Sequence, residues 1–192
     1  MRNMSDNEVQ RLLAAVDPSD AFAVRDEAML VILLHTGLRP SEFLALNVEH
    51  VACNDVARET LHVPSSIGKW GLERLVPLNS QARQAIEALI VFNDSHGWSV
   101  APGAPLTYST TGNRLCIRAL QYVVARLRKR AQLDLKATPH TARHTFASNL
   151  LGKSGNVRLV QVVLGHQQIT STQIYARPSR ESMAQAVELL CE

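Results

Sequence analysis

Cysteine is scarce in this sequence of 192 residues: Cys53, Cys116 and Cys191 form an odd, scattered set. No paired spacing joins them, which argues against a disulfide framework and against a cysteine-rich metal site. Aromatic residues make up 5% of the chain and include three tyrosines, so the setting of each tyrosine carries information. No apolar run approaches a membrane span, and the start "MRNMSDNEVQ" lacks the apolar region of a signal peptide. A cytoplasmic protein without a membrane partner is therefore expected. Repeats and low-complexity tracts are absent as well. Acidic residues thin out in one region: residues 61–180 hold 15 basic and 4 acidic side chains, whereas residues 1–60 hold 5 basic and 10 acidic. The last 12 residues carry three acidic side chains and no basic one. A net of +11 over 61–180 fits either a polyanion-binding face, most often for nucleic acid, or a solvated basic surface without a partner.

What is present is enough for one sizeable core. Hydrophobic residues are 46% of the chain and mean hydropathy is −0.04, as in ordinary globular proteins. "SDNEVQRLLAAVD" opens with Ser5 and Glu8 in capping-box spacing. "DAFAVRDEAMLVILLHTG" reads as a central helix closed by Gly37, and "RPSEFLALNVEHV" as another with Pro40 in its first turn. "ETLHVPSS" and "ERLVPLN" flank "SIGKWGL" as a hairpin with a long loop. "SQARQAIEALIVFND" returns to helix, and residues 96–112 form a Gly-, Pro-, Ser- and Thr-rich loop. "RLCIRALQYVVARLRKRAQL" is a long helix with a basic end suited to its dipole. "TPHTARHTFASNLLGKSG" carries Thr138 as cap, "NVRLVQVVLG" is a short helix ended by Gly165, and "ITSTQIYA" and "SRESMAQAVELLCE" follow. The expected fold class is mainly α (α+β): a single-domain helical bundle with one small antiparallel β-sheet or hairpin.

Arg39, Lys69, His140, Arg143, His166 and Tyr175 all stand at helix starts, after glycine caps or on the hairpin tip. Each has an ordinary reading: a solvated arginine or lysine, a chance HxxR pair, a capping histidine, a packed tyrosine. Together they suit a phosphodiester. Arginine grips phosphate oxygens in pairs, lysine supplies a point charge or a proton, and the phenol can form a covalent phosphate ester. Arg39 beside a helix N-terminus is expected to add backbone N–H donors to the anion site. His140 and Arg143, three residues apart, share a helix face.

Four segments in order, "HTGLRPSEFLAL", "GKWGLERLVPL", "TPHTARHTFASNLL" and "LGHQQITSTQIYA", span residues 35–176. In them the chain resembles the tyrosine recombinase (phage integrase) family, specifically its catalytic domain. The resemblance implies site-specific cleavage and rejoining of double-stranded DNA through a 3′-phosphotyrosyl bond. It makes Arg39 and Arg143 the phosphate-holding arginines and Lys69 the hairpin lysine that protonates the departing 5′ oxygen. His140 is the histidine of the HxxR pair, acting as acid/base or positioning the phosphate; His166 hydrogen-bonds the phosphate and Tyr175 is the nucleophile. Trp70 departs from the family's commoner small residue after the lysine. No cofactor and no metal are implied, because the cations do the electrostatic work. Loss of one donor in such a site lowers the rate on the order of 10²–10³. Basic residues at 126, 128, 129, 130 and 136 are candidates for the DNA face by charge alone.

The family assembles a tetramer on DNA, from a chain expected to be monomeric without it. A tail over residues 178–192 either passes to a neighbouring protomer or folds back on its own core, with Met183, Ala186, Val187 and Leu190 on one face. The N-terminal DNA-clamping domain common in the family is expected to be absent. Either a truncated form or a short member of the family is implied, such as the invertases that flip a promoter for fimbriae. Three rival readings stay open: a zinc hydrolase using His140, His144 and His166, which lacks the Glu of HExxH; a non-catalytic DNA-binding regulator of recombinase descent; and a relaxase like the type IB topoisomerases.

Overall fold

A computed structural model describes residues 3–134, 137–165 and 178–191. Helix α1, Asp6–Ala14, begins as its sequence dictates: the Ser5 hydroxyl accepts from the Glu8 N–H at 3.3 Å, and the Glu8 carboxylate accepts from the Ser5 N–H at 2.8 Å. Helix α2, Ala23–Thr36, is apolar almost all round, which places it at the centre. Met29, Ile32 and Leu33 are fully buried there, against α4 (Ser80–Ser95) and α6 (Pro139–Ser154). Helices α5 (Ile117–Arg130) and α7 (Val157–Leu164) add their apolar faces to the same core.

The stretch expected as one helix after Arg39 is two elements. Helix α3 covers Pro40–Ala45 only, the backbone extends at Leu46, and a single 3₁₀ turn follows at Val48–His50. Two neighbours fix the break: the Leu46 carbonyl accepts from the Leu106 N–H at 3.0 Å and from the Arg114 guanidinium at 2.8 Å. Those tertiary bonds outweigh one more helical turn.

Two small antiparallel pairs stand where one was expected. Strands β1 (Ala52–Cys53) and β2 (Val56–Ala57) join through Asn54 and Asp55, both with positive φ, residues suited to a two-residue hairpin. Strands β3 (Thr60–Val63) and β4 (Arg74–Pro77) form the expected hairpin, in register from Thr60↔Pro77 to Val63↔Arg74. Helix α8, Arg180–Glu188, turns Ala186 and Val187 into this chain's core, with Met183 and Leu190 partly buried beside them. Asn79 Nδ2 donates to the Val187 carbonyl at 3.3 Å, and the Ser80 hydroxyl donates to Glu188 at 2.7 Å. Among the described residues no helix is long and apolar enough to cross a membrane.

Candidate active site

Gly37 closes α2 in the left-handed region, at φ +60°. A Cβ there would lie 2.3 Å from Phe146 Cδ1, so only glycine lets α2 and α6 meet this closely while the chain turns. That turn delivers Arg39 to the start of α3. Pro139 and the Thr138 cap start α6 on the facing side, and the helix carries Arg143 toward the same place. Arg143 donates through Nη1 to the Gly37 carbonyl and through Nη2 to the Leu164 carbonyl at 2.8 Å. One guanidinium thus ties together the C-terminal ends of α2 and α7, where the helix dipoles favour a cation.

Between the arginines lies Glu42, 1% exposed. Its carboxylate accepts two parallel bonds from Arg74, at 3.0 and 2.7 Å, and also Arg39 Nη1 at 2.8 Å and the Arg39 backbone N–H at 2.9 Å. Burial by itself pushes the Glu42 carboxyl up; the Arg74 and Arg39 bonds and charges win and hold it at about 2. The backbone donor expected to be free for an anion at Arg39 is therefore occupied by Glu42.

Three guanidiniums around one carboxylate leave a surplus of positive charge. Arg143 registers it: burial first, then the charges of Arg39 and Arg74, against a smaller opposing pull from Glu42, bring its pKa down to about 10. A half-buried cation with two cations for neighbours favours a negative charge nearby. Gly165, at φ +67°, sits directly on this cluster; a Cβ there would lie 2.8 Å from Arg74 Cδ. From Gly165 the chain enters residues 166–177.

Arg39 and Arg143 lie close enough for the charge of one to lower the pKa of the other. His140 stands one turn before Arg143 on α6 and is exposed. Lys69 is exposed in the 3₁₀ turn at the hairpin tip, Lys69–Gly71, with its Nζ 4.3 Å from the centre of the Trp70 ring. His166 and Tyr175 lie outside the described residues, as do Lys136 and the "ITSTQIYA" segment. Among the described residues no group of three or more His, Cys, Asp or Glu is placed to hold a metal ion.

Two cluster members were not singled out from sequence: Glu42 and Arg74. Glu42 had a signal, an acidic residue at the third position of a helix that starts on an arginine; Arg74 had none, because its partner is 32 residues away. Among the basic candidates for a DNA face, Arg126 is a structural cation. It donates to Asp20 at 3.0 Å and is paired with the fully buried Asp26. Arg130 lies 3.9 Å from Asp17. Arg128 and Lys129 line an open concavity of about 780 Å³ at the end of α5.

A family model described as the phage integrase family matches residues 2–182. The tyrosine recombinase XerD of Ralstonia nicotianae is 31% identical over 182 residues, covering 95% of this chain and 58% of its own length. The tyrosine recombinase XerC of Vibrio campbellii is 34% identical over 188 residues, covering 97% and 57%. The chain thus spans less than three fifths of the relatives it matches. The XerA recombinase crystal structure superposes with a TM-score of 0.74 at 25% identity, over 96% of this chain and 63% of that one. XerH recombinase bound to its palindromic difH substrate, a post-cleavage complex, superposes with a TM-score of 0.69 at 22% identity, over 86% and 46%.

Proposed function

The chain belongs to the phage integrase family, and from that premise we propose that it is the catalytic part of a tyrosine recombinase, acting on double-stranded DNA. The carrying observation is the cluster itself: Arg39 at the start of α3 and Arg143 on α6 share a surplus of positive charge beside the entry to residues 166–177. A scissile phosphate fits that charge. Arg39 and Arg143 hold its non-bridging oxygens, and their grip strengthens as charge builds up in the pentacoordinate transition state. The Tyr175 oxygen attacks phosphorus as its proton passes to a base, His140 or water; the bond to the 5′ oxygen breaks, and Lys69 protonates that oxygen. His140 positions the phosphate or moves a proton, and His166 hydrogen-bonds it. The 3′-phosphotyrosyl bond keeps the energy of the broken link, so a 5′-hydroxyl from another strand reverses the step without ATP.

Glu42 and Arg74 hold the arginines in place. Glu42 takes both the backbone and the side chain of Arg39, and Arg74 clamps Glu42 from the hairpin. Recombination joins two duplexes, so four chains act together on DNA. Helix α8 lies folded back on this chain's own core, one of the two arrangements open to the tail, and would serve a tetramer only by exchanging that packing with a neighbour.

The test uses a pool of nicked duplexes with a randomised core, in which cleavage traps protein on DNA. A covalent adduct on a denaturing gel is expected from the wild type and none from Tyr175→Phe; Arg143→Ala is expected to lower the rate on the order of 10²–10³. An adduct that survives Tyr175→Phe would falsify the assignment of the nucleophile. Relaxation of a supercoiled plasmid without any recombinant product would move the reading to a topoisomerase.

A further inference from the structure

Trp70 contributes nothing to the core. It is 68% exposed, yet its backbone is left-handed at φ +60°, a conformation that bulky residues rarely adopt. What the indole does touch is charge: the Lys69 Nζ lies 4.3 Å from the centre of its ring, well within the range at which the ring's negative face attracts a cation. Lys69 is otherwise exposed, with no ion pair among the described residues. A four-carbon side chain at a hairpin tip would sweep a wide volume; the neighbouring ring gives its ammonium one seat.

We infer that Trp70 is a positioning residue, whose indole is the resting seat of the Lys69 ammonium and keeps the proton donor against the hairpin until a phosphodiester draws it off. The inference rests on the proposed reading in which Lys69 protonates the leaving 5′ oxygen. The seat is weak by nature. An exposed cation–π contact is worth about 0.5–1 kcal/mol, so the full negative charge of a phosphate displaces it. The ammonium then gives its proton to the 5′ oxygen as the phosphorus–oxygen bond breaks, and the neutral amine takes a proton back from the 5′-hydroxyl on rejoining. A contact made at rest and given up before the transition state slows the step it precedes. Removing the ring is therefore expected to speed proton-assisted cleavage by about 2–5-fold, the equivalent of that contact energy.

Two measurements test this on the full chain. The first needs no activity: proton NMR of the Lys69 side chain. Its terminal methylene protons are expected upfield in the wild type, shielded by the ring, and at ordinary positions in Trp70→Ala; ordinary positions in the wild type overturn the seat. The second compares two nicked duplexes from the adduct selection, identical except that one carries sulfur in place of the scissile 5′ oxygen. A thiolate leaves without a proton, so the lysine is not needed. Trp70→Ala is expected to cleave the oxygen duplex about 2–5-fold faster and the sulfur duplex at the wild-type rate, with Trp70→Phe, a weaker π face, in between. Equal effects on both duplexes, a slower oxygen reaction, or no effect on either overturns the inference while leaving the recombinase reading intact. Failure of the wild type to form any adduct overturns that reading instead, and the NMR result still decides the seat.

Discussion

Two buried ionic clusters stand out among the described residues, and they differ in one respect that matters. Around Glu42 stand Arg39, Arg74 and Arg143; around Asp26 stand Arg25 and Arg126, with Asp20 completing the set. Both carboxylates are essentially inaccessible, and in both clusters one bridging arginine, Arg74 or Arg126, leaves its Nε buried without a partner among the described residues. The Asp26 set balances: two cations, two anions. There burial outweighs its arginines, and the Asp26 carboxyl is pushed up. The Glu42 set does not balance, and its carboxyl falls to about 2 under the bonds of Arg74 and Arg39, with Arg143 as a third cation nearby. A balanced cluster is a strut between α2 and α5. An unbalanced one keeps charge available for a ligand. Burial of charge is common to both clusters; the excess of one sign around Glu42 is what supports the proposed site there.

The comparison can be broken where it is sharpest. Glu42→Ala leaves three guanidiniums facing one another and is expected to lower stability by about 3–5 kcal/mol in urea unfolding, and to abolish adduct formation by the protein that remains folded. Acidification probes the same carboxylate. Its folded pKa lies below the unfolded value of 4.5, so its contribution is complete above about pH 4.5 and is lost toward pH 2. That loss amounts to about 3 kcal/mol. An earlier window belongs to His35, whose pKa burial lowers from 6.5 to about 4, and whose Nδ1 lies 2.9 Å from Asn79 Nδ2. The folded chain binds this proton less readily than the unfolded one, so stability falls as pH drops from 6.5 to 4. His35 is partly exposed, so the loss is smaller than for Glu42, and His35→Gln is expected to flatten that window alone.

Asp26→Asn is the counterpart on the strut. The amide keeps an acceptor oxygen and Asp20 keeps Arg126, so a loss of about 1–3 kcal/mol is expected, with adduct formation per folded molecule unchanged. Should Asp26→Asn block adduct formation as Glu42→Ala does, the division into strut and site would fail. The smallest effect is expected from Gly165→Ala. A left-handed alanine costs about 1–2 kcal/mol, and its Cβ would press on Arg74 Cδ at 2.8 Å. Slower cleavage beyond the stability loss, measured at a temperature where the variant is fully folded, would show that Gly165 sets how the chain meets the cluster.

Much of the fold was legible in local pattern. The Ser5–Glu8 capping box, the left-handed glycines at 37 and 165 and the Thr138–Pro139 helix start stand where the sequence put them. So does the pairing of "ETLHV" with "ERLVP". Arg39 and Arg143 were legible too, as helix-start and helix-face arginines within a recurring set of segments. The break at Leu46 was not, because Leu106 and Arg114 impose it from 60 and 68 residues away. The strut role of Arg126 was hidden for the same reason, its acidic partners lying 100 and 106 residues earlier.

By itself the sequence determined where most helices start, which glycines close them, which faces are apolar, and which side chains are chemically fit to handle a phosphodiester; those properties follow from neighbours within a turn or a strand. Only the tertiary structure decided which arginines neutralise a carboxylate and which remain in excess. That outcome depends on distances between elements brought together by core packing, and at a few ångströms in a water-poor interior those distances set the sign and strength of every charge interaction.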